Sequence, residues 1–116
     1  MPRNMSFFHT ADQVRDKSKT VTRRIGWQFL KAGDELNAVE KSQGLKKGEK
    51  VRVIHRIRVI RVTRERLYEC ASHWEARCEG FPGWSGAQFI RYFMDTFKCP
   101  VDQEVTRIEF EYMPET

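Results

Sequence analysis

Between Val51 and Val62 the chain alternates apolar and cationic residues, then slips phase by one. Val51, Val53, His55, Ile57 and Val59 fall on one side of a strand, and Arg52, Arg56 and Arg58 on the other. That is the period of two which a half-buried strand requires. Past Val59 the apolar positions become Ile60 and Val62, with Arg61 and Arg64 between and after them. One extra residue in an otherwise regular strand predicts a bulge or sharp bend, as found where a sheet curls into a barrel.

The remaining segments supply partners for that strand. Met5-Ser6-Phe7-Phe8 reads as an opening strand, and Thr10 as the N-cap of a short helix through Ala11–Arg15, with Asp12 in its first turn. Lys17 to Arg24 reads as a basic, Thr-rich connector. Gly33-Asp34 punctuates the chain before a strand at Glu35–Val39, and Lys46 to Glu49 reads as a turn. Leu67 to Arg77 is read as a helix or helical turn with Leu67, Cys70 and Trp74 inward. Ser85-x-x-Gln88 matches a capping box, followed at helical spacing by Phe89, Ile90, Phe93, Met94 and Phe97. This predicts an amphipathic helix of about 13 residues, ended at Cys99-Pro100, whose aromatic stripe belongs to the core with no binding role. Thr106, Ile108, Phe110 and Tyr112 alternate with Arg107, Glu109 and Glu111 in a closing strand. The pattern predicts one domain over residues 1–116: α+β, a small curled mixed β-barrel with flanking short helices.

Composition narrows the function classes. The 116 residues are 40% hydrophobic and 32% charged, which is globular rather than disordered. No apolar run is long enough to span a membrane, and Met1-Pro2-Arg3-Asn4 leads into a strand without the apolar region of a signal peptide. Twenty-one Lys and Arg against sixteen Asp and Glu leave a net charge of +5, which favours an anionic partner such as a nucleotide or nucleic acid. Three cysteines, an odd number, point to a reducing cytoplasm rather than a disulfide framework. Cys70, His73, Cys78 and Cys99 lack the paired C-x2-C spacing of a zinc knuckle, so no metal and no cofactor are expected.

Three constellations carry chemistry. Lys19-Thr20-Val21-Thr22-Arg23-Arg24 places three cations and two hydroxyls together, suited to an anion or, with a desolvated Lys19, to activating a hydroxyl. Its alternative is a solvated basic loop. Lys19 and Thr22 fall on opposite faces of a regular strand and converge only where the backbone departs from it. Glu79-Gly80-Phe81-Pro82-Gly83-Trp84 sets a carboxylate between aromatic residues on a tight path; Glu79 is either raised in proton affinity or paired with an arginine. The ladder Arg52, Arg56, Arg58, Arg61, Arg64 and Arg66 is either a phosphate-tracking stripe or a solvent face balanced by acids such as Glu109 and Glu111.

Together these residues resemble the ASCH family, small RNA-associated domains with the PUA-like barrel fold. The family's hallmark Gly-x-Lys-x-x-Glu-x-Arg corresponds to Lys17-Ser18-Lys19-Thr20-Val21-Thr22-Arg23-Arg24, with Lys19 and Arg24 retained, Lys17 at the glycine and Thr22 at the acidic position. Gly33-Asp34, Glu79-Gly80-Phe81 and Ile108-Glu109-Phe110 also match, so the resemblance runs from about Met5 to Tyr112. Threonine at the acidic position is shared with the 4-acetylcytidine amidohydrolases of the family. That likeness implies Thr22 as nucleophile, Lys19 as its base, Glu79 as the third member of a triad, and Arg24 or backbone amides as oxyanion donors. Trp27 and Phe29, the loop at 41–45, Trp74 and Trp84 depart from those enzymes and imply a different pocket, with Arg24, Trp27, Phe81 and Trp84 as substrate-binding candidates.

Three functions are therefore expected to compete. The first is an amidohydrolase acting on an acylated pyrimidine nucleoside. The second is an RNA-binding module, with or without ribonuclease activity, contacting RNA through Arg23, Arg52, Arg56 and Arg58; inward-facing His55 would not serve it as a base. The third is a binder of a modified nucleobase, stacked on Trp27, Trp84 or Tyr92, without catalysis.

Overall fold

A computed structural model describes residues 2–41, 45–70 and 72–114. Five strands, β1 (Arg3–Ser6), β2 (Val21–Arg24), β3 (Glu35–Val39), β4 (Val53–Arg66) and β5 (Glu104–Tyr112), form one sheet in the order β1-β3-β4-β5-β2. Only β1 and β3 run parallel; the other pairs are antiparallel. Three short helices, α1 (Ala11–Arg15), α2 (His73–Cys78) and α3 (Gly86–Phe97), flank the sheet. The sheet curls into a half-barrel, an α+β PUA-like arrangement, with β1 and β2 as its two edges.

The phase slip in β4 is a real irregularity. Pairing with β5 shifts between Val59 and Arg61, and the extra residue, Ile60, turns outward while Val59 stays buried and Val62 returns toward the core. Ile60 is thus the bulge itself rather than the first inward position of the new phase. The strand begins at Val53, paired with Val39, and a second register shift, between Ala38 and Val39 of β3, leaves Ile54 as the extra residue, so that Val53 is exposed and Ile54 packs on the core.

Four other expectations need correction. The opening strand ends at Ser6; the Phe7 amide still bonds to the Val39 carbonyl at 2.8 Å, but Phe8–Thr10 form a single 3-10 turn. Because that turn runs straight into α1, the Thr10 hydroxyl makes no cap hydrogen bond. The second half of the basic connector is strand β2, not loop. Finally, Trp74 is 63% exposed: α2 begins at His73, capped by Ser72, and its inward residue is Ala76, while Leu67 and Cys70 are buried as expected. Of the loop at 41–45, residues 42–44 lie outside the described residues.

Two apolar clusters hold the molecule together. Met5, Phe7, Val14, Leu36, Ile57, Val59, Ile108 and Phe110 pack within the curl of the sheet. Leu67, Cys70, Ala76, Phe89, Phe93 and Val105 pack beneath the helices. Each fully buried Phe contributes on the order of 2 kcal/mol. The α3 capping box forms as read, with the Ser85 hydroxyl accepting from the Gln88 amide at 3.1 Å and the Gln88 side chain accepting from the Ser85 amide at 2.7 Å. Helix α3 is thereby anchored with Phe89 and Phe93 toward the sheet. No helix among the described residues is long and apolar enough to cross a membrane.

Candidate active site

Between the two apolar clusters lies a cavity of about 250 Å³. Phe7 from the first cluster and Phe89 and Phe93 from the second line it, and Lys19, Thr22, Arg23, Arg24 and Glu79 form its polar wall. At this volume it lies at or below the lower end of ordinary small-molecule sites, the size for one heterocycle with a small substituent.

The polar wall is assembled by the strand period and by a break in it. On β2, alternation puts Thr22 and Arg24 on one face and Arg23 on the other. Lys19 precedes the strand, and its backbone is pinned from three sides. Its amide donates to the Gln13 carbonyl at 3.2 Å, its carbonyl accepts from the Tyr112 hydroxyl at 2.6 Å, and the next amide, of Thr20, donates to the Cys78 carbonyl at 2.8 Å. Freed from strand geometry, Lys19 turns into the same cavity as Thr22.

Lys19 is 3% exposed and its Nζ donates to Glu79 Oε1 at 2.7 Å and to the Glu79 carbonyl at 2.8 Å. Removal from water pushes the Lys19 pKa below the ordinary lysine value, against the pull of the Glu79 carboxylate and with help from Arg24 and Arg23. Glu79 is equally buried, and its other oxygen accepts from Arg23 Nη1 at 2.9 Å. Its position depends on Gly80, whose φ of 104° belongs to glycine and where a Cβ would meet the Gln13 side chain at 2.8 Å.

Thr22 Oγ1 accepts from Arg24 Nε at 3.0 Å, and no hydrogen bond joins Thr22 to Lys19. Arg24 lies over the Phe7 ring, 4.7 Å from its centroid, and faces no carboxylate within ion-pair distance among the described residues. Burial pushes its pKa down to about 10, which still leaves it charged at neutral pH. The uncommitted end of its guanidinium is the free donor of the wall.

Arg23 requires a correction. Expected on an RNA-facing surface, its side chain is 1% exposed and bonds to three carboxylates: Glu65 at 2.7 Å, Glu79, and Glu75. Burial disfavours its charge, but these acids outweigh burial and hold its pKa above the ordinary arginine value. Such a group cannot reach a polyanion. Arg107 adds a bidentate contact to Glu75, at 2.7 and 3.2 Å, and extends the network to β5.

The other predicted residues divide. Phe81 lines the cavity, stacked on Trp84 with ring centroids 4.2 Å apart; Trp84 stands behind it and not in the wall. Trp27 packs on the sheet cluster and against Phe29, away from the cavity. Arg56 and Arg58 are exposed and paired with Glu35 at 3.2 Å and Glu111 at 3.4 Å, so the acid-balanced face describes them. Half-buried His55 lies edge-on to Tyr112. Tyr92, a stacking candidate from the sequence, does line the cavity, but the rest of the α3 contribution is unexpected: Phe89, Phe93 and Phe97 also line it, although their stripe reads as core. The available signal was Tyr92, whose hydroxyl a purely structural face has no need of. The turn residues Phe8 and His9, also in the wall, carried no pattern at all.

No family sequence model matches the chain, and no curated protein sequence does either. Solved structures do. The fold is similar to an ASCH domain from Lactobacillus crispatus, with a TM-score of 0.69 and 16% identity over 95% of this chain and 78% of that one. It is also similar to the protein EF3133 from Enterococcus faecalis, with a TM-score of 0.66 and 15% identity over 97% of this chain and 76% of that one. A ZmASCH mutant protein from Zymomonas mobilis gives a TM-score of 0.61 at 15% identity, covering 96% and 70%. The curled five-stranded sheet and its helices therefore define a PUA-like fold. More narrowly, it is the fold of ASCH domains.

Proposed function

We propose that the protein is an amidohydrolase that removes an acyl group from the exocyclic amine of a pyrimidine nucleoside such as 4-acetylcytidine. The observation that carries this reading is the convergence of Lys19, Thr22 and Glu79 on one cavity whose opposite wall is aromatic. The base lies against Phe81, Phe89 and Tyr92, and its acylated amine points to the polar wall.

The Thr22 hydroxyl, already accepting from Arg24, keeps its own proton free to donate. It attacks the acyl carbonyl carbon while Lys19, in its neutral form, takes that proton. The carbonyl oxygen becomes an oxyanion stabilised by the free end of Arg24. The carbon–nitrogen bond then breaks, Lys19 returns the proton to the departing amine, and an acyl ester remains on Thr22. Water, deprotonated by the same lysine, attacks the ester carbonyl, releases the carboxylic acid and restores the hydroxyl. Glu79 orients Lys19, and Arg23 orients Glu79.

The purified protein is expected to release acetate and cytidine from 4-acetylcytidine, and Thr22→Ala and Lys19→Ala to reduce turnover by about 10³-fold or more. Since the active form of Lys19 is neutral and burial lowers its pKa, activity should rise with pH and level off below the ordinary lysine range. Stoichiometric binding of 4-acetylcytidine with no product would leave a nucleobase binder in its place. No binding and no turnover by the folded protein would refute the reading.

A further inference from the structure

The cavity has a neighbour. Phe8, 60% exposed, lines it on one side and lines a second concavity of about 190 Å³ on the other, together with Lys41, Lys50 and Arg52. The two are also tied through the sheet: Ser6, in the first, donates to the carbonyl of Glu40, in the second, at 3.4 Å.

Charge bookkeeping in the second concavity leaves a surplus. Glu40 is held by Arg15 at 2.8 Å, and Glu49 accepts from the Lys46 amide at 2.6 Å with Lys41 at 4.0 Å. Lys50 and Arg52 have no carboxylate within ion-pair distance among the described residues. On β4 itself Arg56, Arg58 and Arg64 each meet an acid, while Arg61, which lines neither concavity, has none within ion-pair distance among the described residues. Arg52, just before β4, differs from them. Two unneutralised cations at a concave site are suited to a phosphate, with Arg as a fork and Lys as a point charge.

We infer that this concavity is a phosphate subsite continuous with the base pocket, so that the preferred ligand is a phosphorylated pyrimidine nucleotide, its base inside and its phosphate beyond Phe8 on Lys50 and Arg52. The inference rests on the proposed base pocket and deepens it. The phosphate belongs either to a mononucleotide or to a strand, and the two are separable by experiment.

Titration calorimetry at low salt compares 4-acetylcytidine, its 5′- and 3′-monophosphates, and a short single-stranded RNA carrying the same base. At least one phosphorylated ligand is expected to bind about tenfold tighter than the nucleoside. The ratio should fall toward one in Lys50→Ala/Arg52→Ala and shrink as salt rises. A mononucleotide that recovers the whole gain identifies a nucleotide ligand; a gain seen only with the oligonucleotide identifies a strand. Equal affinities for nucleoside and all phosphorylated forms, with hydrolysis intact, overturn the subsite and leave the proposed activity standing. A phosphate gain that survives in the double variant overturns it as well. Failure of every ligand to bind overturns both.

Discussion

The β2–α2 seam and the outer face of β4 are both built from arginine and glutamate, and they use the pair in opposite ways. At the seam one buried guanidinium, Arg23, serves three carboxylates drawn from β4, α2 and the turn after α2, of which Glu79 is buried and Glu65 and Glu75 are partly so. On the β4 face the pairs lie in solvent: Arg56 meets Glu35, Arg58 meets Glu111, and Arg64 and Arg66 share Glu104. Exposed pairs gain little, because water screens them and side-chain entropy opposes them. Buried charges are held tightly because no partner can leave without stranding the others. The seam is therefore a frame that fixes Glu79, and through it Lys19, while the β4 face only disposes charge in solvent.

The sharpest test of that contrast removes its hub. Arg23→Ala leaves Glu65, Glu75 and Glu79 together without their shared counter-charge and is expected to cost about 3–5 kcal/mol in urea unfolding. A loss under about 1 kcal/mol would mean that water replaces the guanidinium and that the seam is no more rigid than the β4 face.

Much of the fold was legible from local pattern. Strand Glu35–Val39, the Ser85–Gln88 box and the irregularity after Val59 each depend on residues close in sequence. Lys17 adopts φ 64°, a left-handed value that favours glycine, which the reading of Lys17 to Arg24 as a basic connector did not anticipate. The site was legible only in part. Lys19, Thr22 and Glu79 do share a cavity, but nothing in the run Thr22-Arg23-Arg24 tells which cation turns inward. That outcome depends on Glu65 and Glu75, 42 and 52 residues away, whose arrival is a property of the sheet order and not of any motif. Trp27 and Trp84 were misplaced for the same reason: an aromatic residue advertises stacking without saying on what.

An intermediate case lies between the two regions. Glu75 is 19% exposed and shared by Arg23 and Arg107. Burial raises its pKa, but hydrogen bonds from Arg107 and Arg23 outweigh burial and hold it below the ordinary carboxylate value. A carboxyl whose pKa is lower in the folded state stabilises fully above its unfolded pKa and loses that contribution as pH falls through the folded one. Glu75→Gln should therefore cost about 1–2 kcal/mol at neutral pH and flatten the decline in stability below the ordinary carboxylate range. A cost that stays constant down to acidic pH would show the contact to be packing rather than charge.

The smallest effect belongs to the β4 face. Arg58 is 44% exposed and Glu111 51%, at 3.4 Å. Arg58→Ala is expected to change stability by no more than about 0.5 kcal/mol, and a double-mutant cycle with Glu111→Ala to give a coupling of the same size that fades with added salt. The result has value because Arg23 and Arg58 differ so little in chemistry. If the exposed pair proved worth as much as the buried hub, burial would not be what distinguishes them, and the case for Arg23 as the frame of Glu79 would fail with it.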